Sequence, residues 1–341
     1  MKAVVIREHG GPEVLRMEDR PIPTPGPGEA RVRVHAVALN HLDLWVRKGV
    51  PGHTFPLPIV PGCDIAGTVD AVGSGVGSRV GEAVVVGPGV SCGTCRECRA
   101  GRENLCRQYG ILGETRDGGC AEYVVVPAVN LFQKPRGLDD PQAAAVPLVF
   151  LTAWHMLVGR AELRVGEMVL VHAAGSGVST AAIQIARLVG ARVLATAGSA
   201  EKCQRALDLG AEVAVNHREA DFVQQVRTWT GKRGVDVAVD HVGEETFDRT
   251  LRCLARGGRY VTCGATSGYE MKTDFRIVYF KSLSILGSTM GGSHELLEVL
   301  EHVAAGRLSP VVERVLPLDR VAEAHAHLES RAGFGKTVLV P

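Results

Sequence analysis

The stretch MVLVHAAGSGVSTAAIQIARLVGARVLATAGSAEK, residues 168–202, predicts a strand, a glycine-containing turn, a helix and a second strand. From about residue 165 to the run LSILGST at 283–289, short apolar runs alternate with helix-length amphipathic segments. Continuous apolar strands joined by helices are typical of a parallel sheet that is covered on both faces. The sequence therefore predicts an α/β fold with a doubly wound parallel sheet in this part of the chain.

The turn in this stretch has the small residues that a pyrophosphate site requires. Small residues let the backbone approach the phosphates, whose charge lies at the N-terminus of the helix. Thr180 stands where the third glycine of G-x-G-x-x-G would be, so the match to that motif is partial. A tight strand-to-helix connection without a ligand is the alternative, but the surrounding strands and helices favour a nucleotide site. The residues concerned are Gly175, Ser176, Gly177 and Ser179.

The end of the second strand indicates which dinucleotide binds. An NAD site usually has an acid there, which accepts a hydrogen bond from the ribose 2′-hydroxyl and would repel a 2′-phosphate. Here Ser199 and Lys202 follow the strand, which favours NADPH. Two alternatives stay open: Lys202 as a solvated helix residue, and Glu201 in the acidic role with the register slipped.

Residues 1–130 have a different sequence pattern, in which short runs of β-branched residues are separated by glycine and proline turns such as PIPTPGPGE. This pattern predicts a mostly β domain. We expect the nucleotide-binding domain over residues 131–292. The segment 293–341 continues neither pattern, and we expect it to rejoin the first domain.

Composition restricts the possible partners. The chain of 341 residues has 38 Lys and Arg against 37 Asp and Glu, so it lacks the charge that nucleic acid or an anionic membrane would attract. The apolar stretch 143–158 is too short to span a bilayer and is interrupted by Pro147 and His155, and the N-terminus lacks a secretory signal. Five of the nine cysteines are scattered without a pairing pattern, which suits a reducing compartment: Cys63, Cys120, Cys203, Cys253 and Cys263. We expect a cytoplasmic protein with a small-molecule substrate.

Four cysteines lie close together in SCGTCRECRAGRENLC, residues 91–106, within a lobe that we place at about 88–110. Thiolates at this spacing can converge tetrahedrally on zinc, and four of them leave no open position for substrate. The motif therefore predicts a structural zinc site, with free thiols or an iron–sulfur cluster as alternatives. The predicted ligands are Cys92, Cys95, Cys98 and Cys106.

The chain resembles the medium-chain dehydrogenases/reductases, which include zinc alcohol dehydrogenases and quinone oxidoreductases. The resemblance covers essentially the whole chain. It implies a GroES-like β domain at the two ends and a Rossmann domain between them in sequence. The motifs that carry it are ALNHLDLWVRKG, PGCDIAGTVDAVGSGV, the cysteine lobe, GGCAEYVVVP, AAAVPLVFLTAWHML, the nucleotide turn and the closing GKTVLVP.

The resemblance also implies that the catalytic zinc of the alcohol dehydrogenase branch is absent. That branch has metal ligands at the positions matching Asn40, Cys63 and Leu148, and a proton-relaying Ser or Thr at Leu42. Without a metal to polarise a carbonyl, NADPH most readily reduces an activated acceptor, such as a quinone or the C=C of an α,β-unsaturated carbonyl. A zinc-independent reductase of such acceptors is our first hypothesis.

The quinone oxidoreductase branch supplies the expected cofactor-binding residues. Lys202 and His217 would neighbour the 2′-phosphate, and the backbone following the fifth and sixth strands would hold the carboxamide. Ser179 stands where this branch usually has glycine. The full set that the resemblance implies is Asn40, Thr152, Gly175, Ser176, Gly177, Val178, Ser179, Ser199, Lys202, His217, Gly264, Ala265, Thr266, Ser288, Met290 and Lys336.

Three residues are candidates for catalysis. Asn40 could donate a hydrogen bond to a developing enolate or position the nicotinamide ribose, and its alternative is a turn-stabilising amide. His41 and His53 could donate a proton near neutral pH, and either could equally be a surface histidine.

Two other functions stay open. One is an NAD(P)-dependent alcohol dehydrogenase or carbonyl reductase with an unusual metal site, built from Cys63, Asp64 and His155. The other is a non-catalytic NADPH-binding protein. The sixth strand, LSILGST, commonly pairs with its twin in this family, so a homodimer is expected, with a tetramer as the alternative.

Overall fold

The computed structural model describes residues 1–77 and 79–341. Within it the chain folds into two compact units. The first unit consists of Met1–Leu148 together with Gly291–Pro341, and the second of Val149–Met290.

These boundaries differ from the predicted ones at residues 130 and 292. Residues 131–148 belong to the first unit because they are tied to its sheet. The strand Leu131–Gln133 hydrogen-bonds to the strand Ala83–Val86. In the helix that follows, Asp140 accepts hydrogen bonds from His35 at 3.0 Å and from Lys134 at 2.7 Å, both residues of the same unit. Strand pairing and these side-chain bonds therefore tie the start of this segment to the first unit, where composition gives no signal.

Both units contain strands and helices. The strands are β1 (Lys2–Ile6), β2 (Leu15–Asp19), β3 (Glu29–Ala38), β4 (Asp64–Val72), β5 (Ala83–Val86), β6 (Gly89–Val90), β7 (Gly110–Ile111), β8 (Tyr123–Pro127), β9 (Leu131–Gln133), β10 (Met168–Val171), β11 (Arg192–Ala197), β12 (Val213–Asn216), β13 (Val235–Val239), β14 (Leu254–Thr262), β15 (Ser284–Gly287), β16 (Val312–Pro317) and β17 (Lys336–Val340). The helices are α1 (His41–Lys48), α2 (Arg96–Arg99), α3 (Asp140–Ala144), α4 (Pro147–Trp154), α5 (Gly177–Val189), α6 (Ala200–Asp208), α7 (Phe222–Trp229), α8 (Phe247–Cys253), α9 (Arg276–Phe280), α10 (Ser293–Ala304) and α11 (Val321–Glu329).

The main sheet of the first unit is built on β3, in which buried and exposed residues alternate. Ala30 and Val32 are buried and Arg33 is exposed, as expected for a strand with one face on the core. The strand order is β16-β17-β3-β4-β5-β9, and β8 also pairs with β3. β17 runs antiparallel to β3 and places Val338 opposite Ala38, so the end of the chain lies beside the start of α1.

The second unit contains a six-stranded sheet in the order β12-β11-β10-β13-β14-β15, with every neighbouring pair parallel. The order reverses between β10 and β13, and the loops at the carboxyl ends of two such strands form the ligand-binding edge of this fold. β10 is buried along its whole length, and α5 begins after Ser176 and ends at Gly190, where φ is 88°. The predicted doubly wound parallel sheet is confirmed.

The apolar run identified in the sequence is longer than we expected. Among the described residues, Asp140–Arg160 is the one helical run with the length and hydropathy to cross a membrane, and it covers 21 residues. Within this run, Ala145 and Val146 separate α3 from α4, and Pro147 stands at the first position of α4, where a helix needs no backbone donor. Inside the protein, 72% of its most apolar window is buried, which is typical of a core helix.

A buried pair of basic residues joins α1 to α11 in the first unit. Arg47 is fully buried and bonds through Nη2 to Oε2 of Glu329 at 2.7 Å. His325 is also fully buried, and neither ring nitrogen has a hydrogen-bond partner among the described residues. Burial, with the Arg47 guanidinium as a second cause, lowers the pKa of His325 to about 3. The folded state therefore keeps this imidazole neutral.

We expect the stability of the first unit to fall in acid because of His325. The unfolded chain takes up a proton near the ordinary histidine pKa of about 6.5, whereas the folded chain resists until about 3, so the free energy of unfolding should decrease as pH falls across this range. His325→Leu should flatten that dependence in urea unfolding measured from about pH 7.5 to about pH 5.

The same substitution at the exposed His294 is the matched control and should leave the profile unchanged. An unaltered pH profile in His325→Leu would contradict the assignment.

Candidate functional site

Asn40 is held in the first unit by a backbone arrangement that frees its side chain. Oδ2 of Asp43 accepts the backbone N–H of Asn40 at 2.7 Å, and Oδ1 accepts the N–H of Gly62 at 2.9 Å. Burial raises the pKa of Asp43 to about 6 despite these bonds. The turn before α1 is thus stabilised by Asp43, and the amide of Asn40 is not needed for it.

The amide of Asn40 instead joins a buried cluster that we call the Asp64 cluster, made of Asn40, Cys63, Asp64 and Lys336. Its Nδ2 donates to Oδ2 of Asp64 at 2.9 Å and lies 3.4 Å from Sγ of Cys63. Its Oδ1 accepts from Nζ of Lys336 at 2.5 Å. Asn40 is therefore an interior residue with a fixed orientation, which favours the positioning role over the turn-stabilising one.

Lys336 supplies the positive charge of the Asp64 cluster. It is only 4% exposed, and its Nζ lies 3.0 Å from Oδ2 of Asp64, which is fully buried. The other carboxylate oxygen, Oδ1, accepts the backbone N–H of Leu148 at 2.7 Å. Buried charges persist only when paired and hydrogen-bonded, and each oxygen of Asp64 meets that condition.

The Asp64 cluster occupies the part of the chain where the resemblance places the ligands of a catalytic metal in the alcohol dehydrogenase branch. Asp64 is committed to an ammonium, an amide and a backbone N–H, so a second cation beside it would be repelled by Lys336. Burial, together with the charge of Asp64, raises the pKa of Cys63 well above its ordinary value, so this thiol is neutral beside the amide of Asn40. Within the first unit, the bonds of Asp64 therefore disfavour its use as a ligand in the alternative metal site of Cys63, Asp64 and His155.

Sequence reasoning assigned Lys336 to the cofactor and missed its partner. The structure places the ammonium on Asp64 and Asn40, within the first unit. The partners are 272 and 296 positions away in the chain, and only the pairing of β17 with β3 brings them together. A charged residue in the otherwise apolar strand KTVLV was the one signal available.

The predicted nucleotide turn of the second unit follows β10. Ala173 has a φ of 51°, a left-handed value that costs energy for a residue with a side chain and is found at functional turns. Ser176 caps α5, and its Oγ accepts the N–H of Ser179 at 3.1 Å. Ser179 is fully buried and donates to the carbonyl of His172 at 2.6 Å. Serine is thus accommodated where the family usually has glycine.

The carboxyl end of β11 is bordered by basic side chains. Ser199 caps α6 and accepts the N–H of Lys202 at 3.3 Å. A Cβ at Gly198 would lie 3.5 Å from Nε2 of His217 and 3.5 Å from Nε of Arg218. Partial burial and the neighbouring guanidinium lower the pKa of His217, so the fixed charge here belongs to Arg218. Sequence reasoning missed Arg218, although it follows β12, the neighbour of β11.

The predicted carboxamide-binding residues lie at the ends of β14 and β15. The backbone N–H of Ser288 donates to the carbonyl of Thr262 at 2.8 Å, and the Oγ of Ser288 is buried without a hydrogen-bond partner among the described residues. Met290 has a φ of 47°, and Oγ1 of Thr152 lies 4.0 Å from its sulfur. An unpaired buried hydroxyl and a left-handed methionine are features that a ligand would explain.

The remaining residues of this set are placed by the loop after β14. The carbonyl of Gly264 accepts from Oγ1 of Thr262 at 2.8 Å, and the N–H of Thr266 donates to the carbonyl of His241 at 3.1 Å. Ala265 packs closely on Gly243, which follows β13. The loops after β13 and β14 are therefore locked together beside the switch point of the sheet.

The two histidine candidates have different surroundings. His41 packs edge-on against Trp45, with ring centroids 5.4 Å apart. His53 packs on Phe55 at 4.5 Å, and its Nε2 lies 3.9 Å from a carboxylate oxygen of Glu114. Burial raises the pKa of Glu114. Their roles as proton donors stay predictions.

The cysteine cluster has the geometry of a tetrahedral metal site. The four sulfur atoms all lie within 4.8 Å of one another, and three pairs are separated by 3.5, 3.6 and 3.9 Å. Zinc–sulfur bonds of about 2.3 Å place the sulfurs of a tetrahedron roughly 3.8 Å apart, and a disulfide would need about 2.05 Å. Backbone hydrogen bonds from Thr94 and Cys95 lower the pKa of Cys92 to about 6, which favours the thiolate that a metal requires.

The chain is similar to known dehydrogenases and oxidoreductases, both by family model and by sequence identity. Residues 26–136 match the family "Alcohol dehydrogenase GroES-like domain", and residues 177–305 match "Zinc-binding dehydrogenase". The chain is 32% identical to a quinone oxidoreductase from Pongo abelii, and the alignment covers all of this chain and 98% of that protein. It is also 32% identical to an NAD-dependent alcohol dehydrogenase from Sulfurisphaera tokodaii over the full length of both.

Among solved structures, the chain is similar to that of an NAD-dependent alcohol dehydrogenase. The two share 54% sequence identity over the full length of both, with a TM-score of 0.97.

The Asp64 cluster predicts a large effect when its cation is removed. Lys336→Met leaves the Asp64 carboxylate buried without an opposite charge, so we expect the free energy of unfolding to fall by about 3–5 kcal/mol. Combining it with Asp64→Asn should recover part of the loss, because the neutral pair buries no charge. Urea unfolding of the two single variants and the double variant measures this coupling.

The matched control is Lys2→Met, which removes the exposed ion pair with Asp19, whose side chain is 76% exposed. That change should cost no more than about 1 kcal/mol. Equal losses in the two lysine variants would contradict the importance of the cluster.

Proposed function

The chain belongs to the medium-chain dehydrogenase/reductase family, and from that premise we propose that it uses NADPH to reduce an activated acceptor, a quinone or an α,β-unsaturated carbonyl, without a catalytic zinc. The Asp64 cluster is the observation that carries the proposal. At the positions where the alcohol dehydrogenase branch binds its metal, this chain has an amide, a neutral thiol and a backbone N–H, organised around an ammonium. These groups stabilise one another. The anion among them, Asp64, is already paired with Lys336 and is therefore not available to a metal cation.

The role of Asn40 follows from its hydrogen bonds. The dinucleotide supplies the hydride when it is bound, and the protein must hold it in register with the acceptor. Both N–H groups of Asn40 are directed at acceptors of its own unit, at Asp64 and at the carbonyl of Ala38 3.3 Å away. Its Oδ1 keeps a second lone pair beside the bond from Lys336. We therefore assign Asn40 to accept a hydroxyl of the nicotinamide ribose, and His41 or His53 to supply the proton.

The choice of NADPH rests on the basic residues at the end of β11. Lys202 and Arg218 provide two fixed cations near Ser199, and the strand end carries no carboxylate. A 2′-phosphate is recognised by such an arrangement, and the 2′-hydroxyl of NAD usually by an acid. NAD remains the alternative because two of the proteins described above are NAD-dependent alcohol dehydrogenases.

We propose that the four-cysteine cluster holds a structural zinc ion. Its lobe has little core of its own, and α2 spans only Arg96–Arg99. A contact between Ser293 and Glu103 ties the lobe to α10. Four thiolates leave no coordination position for a substrate, so the metal stabilises the fold and takes no part in the reaction.

We also propose a cytoplasmic homodimer. β15 is the last strand in the order of its sheet, and its Ile285 is 44% exposed. Phe280 on the adjacent α9 is 63% exposed. Unpaired strand edges and exposed aromatic side chains are features of protein interfaces. Sedimentation equilibrium should give twice the mass of the chain, and a monomer at micromolar concentration would reject the dimer.

The proposed activity predicts a specific pattern of substrates and metal content. Quinones and enones should be reduced, and simple aldehydes and alcohols should turn over at least about tenfold more slowly, because no metal polarises their oxygen. Metal analysis of the same preparation should give one zinc per chain. Two zinc ions per chain, with activity lost when one is chelated, would favour the alcohol dehydrogenase alternative.

A blank result with every acceptor would favour the non-catalytic alternative. In that case dinucleotide binding would persist without turnover.

Removal of the structural zinc should destabilise the protein. Cys98→Ser takes away one of four ligands, so we expect loss of bound zinc and a Tm lower by about 5 °C or more in differential scanning calorimetry. Cys203→Ser, which alters a thiol outside the cluster, should keep the zinc content. Zinc retained in full by Cys98→Ser would contradict the assignment.

Arg218 should distinguish the two dinucleotides. Arg218→Ala removes a charge that faces the 2′-phosphate but has no partner on NADH, so the KM for NADPH should rise by about tenfold while that for NADH is unchanged. Steady-state kinetics with both cofactors measures the ratio, and Arg227→Ala on the neighbouring α7 is the matched control. Equal effects on NADPH and NADH would reject the 2′-phosphate contact.

A further inference from the structure

Three side chains of the second unit meet at the nucleotide turn in a way that neither the motif nor the family comparison predicts. Nε2 of His241 lies 2.9 Å from Oγ of Ser176 and 3.0 Å from Oγ of Ser179. The two hydroxyl oxygens are 3.1 Å apart. His241 directly follows Asp240 at the end of β13, across the switch point of the sheet from the turn after β10.

The hydrogens of these groups can be assigned one by one. Ser179 has a single hydroxyl hydrogen, and its shortest bond, 2.6 Å to the carbonyl of His172, uses it. Ser179 can therefore only accept from its other neighbours. Ser176 accepts the backbone N–H of Ser179 at 3.1 Å, which leaves its own hydroxyl hydrogen to be placed. The state of Nε2 of His241 determines where that hydrogen goes.

We propose that His241 is a positioning residue that controls whether the hydroxyl of Ser176 donates a hydrogen bond to the pyrophosphate of the dinucleotide. When Nε2 carries a hydrogen, it donates to Oγ of Ser176, and the hydroxyl is free to turn toward a phosphate oxygen at the N-terminus of α5. When Nε2 carries none, the hydroxyl donates to Nε2 instead. The inference rests on the proposed function in that it requires a dinucleotide at this turn.

Ser179 is the residue that makes the arrangement possible. Its hydroxyl oxygen joins the end of β10 to His241, and the residue is fully buried. Glycine at this position would leave an N–H at Nε2 of His241 with one acceptor, Ser176, instead of two. We therefore assign Ser179 the role of holding the imidazole of His241 against Ser176.

The charges around His241 determine the direction of the pH effect. Burial lowers the pKa of His241, and the carboxylate of Asp240 opposes this shift. Burial lowers the pKa of His172, on the adjacent strand end, to about 4, so His172 stays neutral near pH 7. The charge of Asp240 opposes this shift, and those of His241, His217 and Arg249 add to it. A pyrophosphate bound nearby adds negative charge and raises the pKa of His241. Binding should therefore take up a proton, and affinity should increase as pH falls.

The test measures binding of NADH to the full-length protein by isothermal titration calorimetry from about pH 8 to about pH 5.5, a range that brackets the ordinary pKa of histidine. NADH is the probe because it lacks the 2′-phosphate, so titration of His217 beside that group does not contribute. We expect the Kd to fall several-fold toward acid pH, with net proton uptake revealed by buffers of different ionisation enthalpy. Both effects should be absent in His241→Gln, which cannot change its charge.

A second variant keeps the test valid if His241→Gln folds poorly. Ser176→Ala removes the hydroxyl that His241 controls and leaves the titrating imidazole in place, so the Kd should lose the part of its pH dependence that this hydroxyl carries, while proton uptake on binding persists. Added to His241→Gln, the same substitution should cause no further change in the pH dependence. His294→Gln, an exposed histidine in the first unit, is the control and should behave as the wild type.

The outcomes separate the inference from the proposed function. Unchanged pH dependence and proton uptake in His241→Gln would overturn the inference while dinucleotide binding stands. Failure of the wild-type protein to bind both NADH and NADPH would overturn the proposed function, and the inference with it.

Discussion

The buried ion pair between Lys336 and Asp64 is the interaction on which the first unit's candidate site depends. A carboxylate with no exposure to water must be paired, and the ammonium 3.0 Å away pairs it. The same two groups fix both ends of the Asn40 amide, because Lys336 can only donate and Asp64 can only accept. The orientation of Asn40 therefore follows from electrostatics, and a metal ion is not needed to organise these positions.

Much of this arrangement could be predicted from the sequence, for identifiable reasons. The doubly wound sheet was predictable because its strands are continuous apolar runs, and the convergence of Cys92 and Cys98 because spacing within a short loop limits how far thiols can separate. The pair of Lys336 with Asp64 was not predictable, because it depends on the register of β17 against β3. The assignment of residues 131–148 to the first unit likewise depends on strand pairing, which leaves no trace in composition.

The second unit shows how a departure from a motif can be informative. Ser179 departs from the glycine that the quinone oxidoreductase branch usually has, yet its hydroxyl connects His172 to His241 at the point where the strand order reverses. Arg218, by contrast, belongs to no motif. It is identified as a candidate binding residue only because the parallel pairing of β12 with β11 brings it to the end of β11. In both cases the relevant contact joins neighbouring strand ends, the place where this fold binds its ligands.

We propose that zinc binds to this protein only in the cysteine cluster and takes no part in the proposed hydride transfer. Zinc-edge X-ray absorption of the active protein during turnover tests it most directly, because the ligand types of every bound zinc contribute to one spectrum. The account predicts a shell of four sulfur atoms at about 2.3 Å that does not change when substrate is added. Nitrogen or oxygen ligands in that shell, altered by substrate, would contradict it.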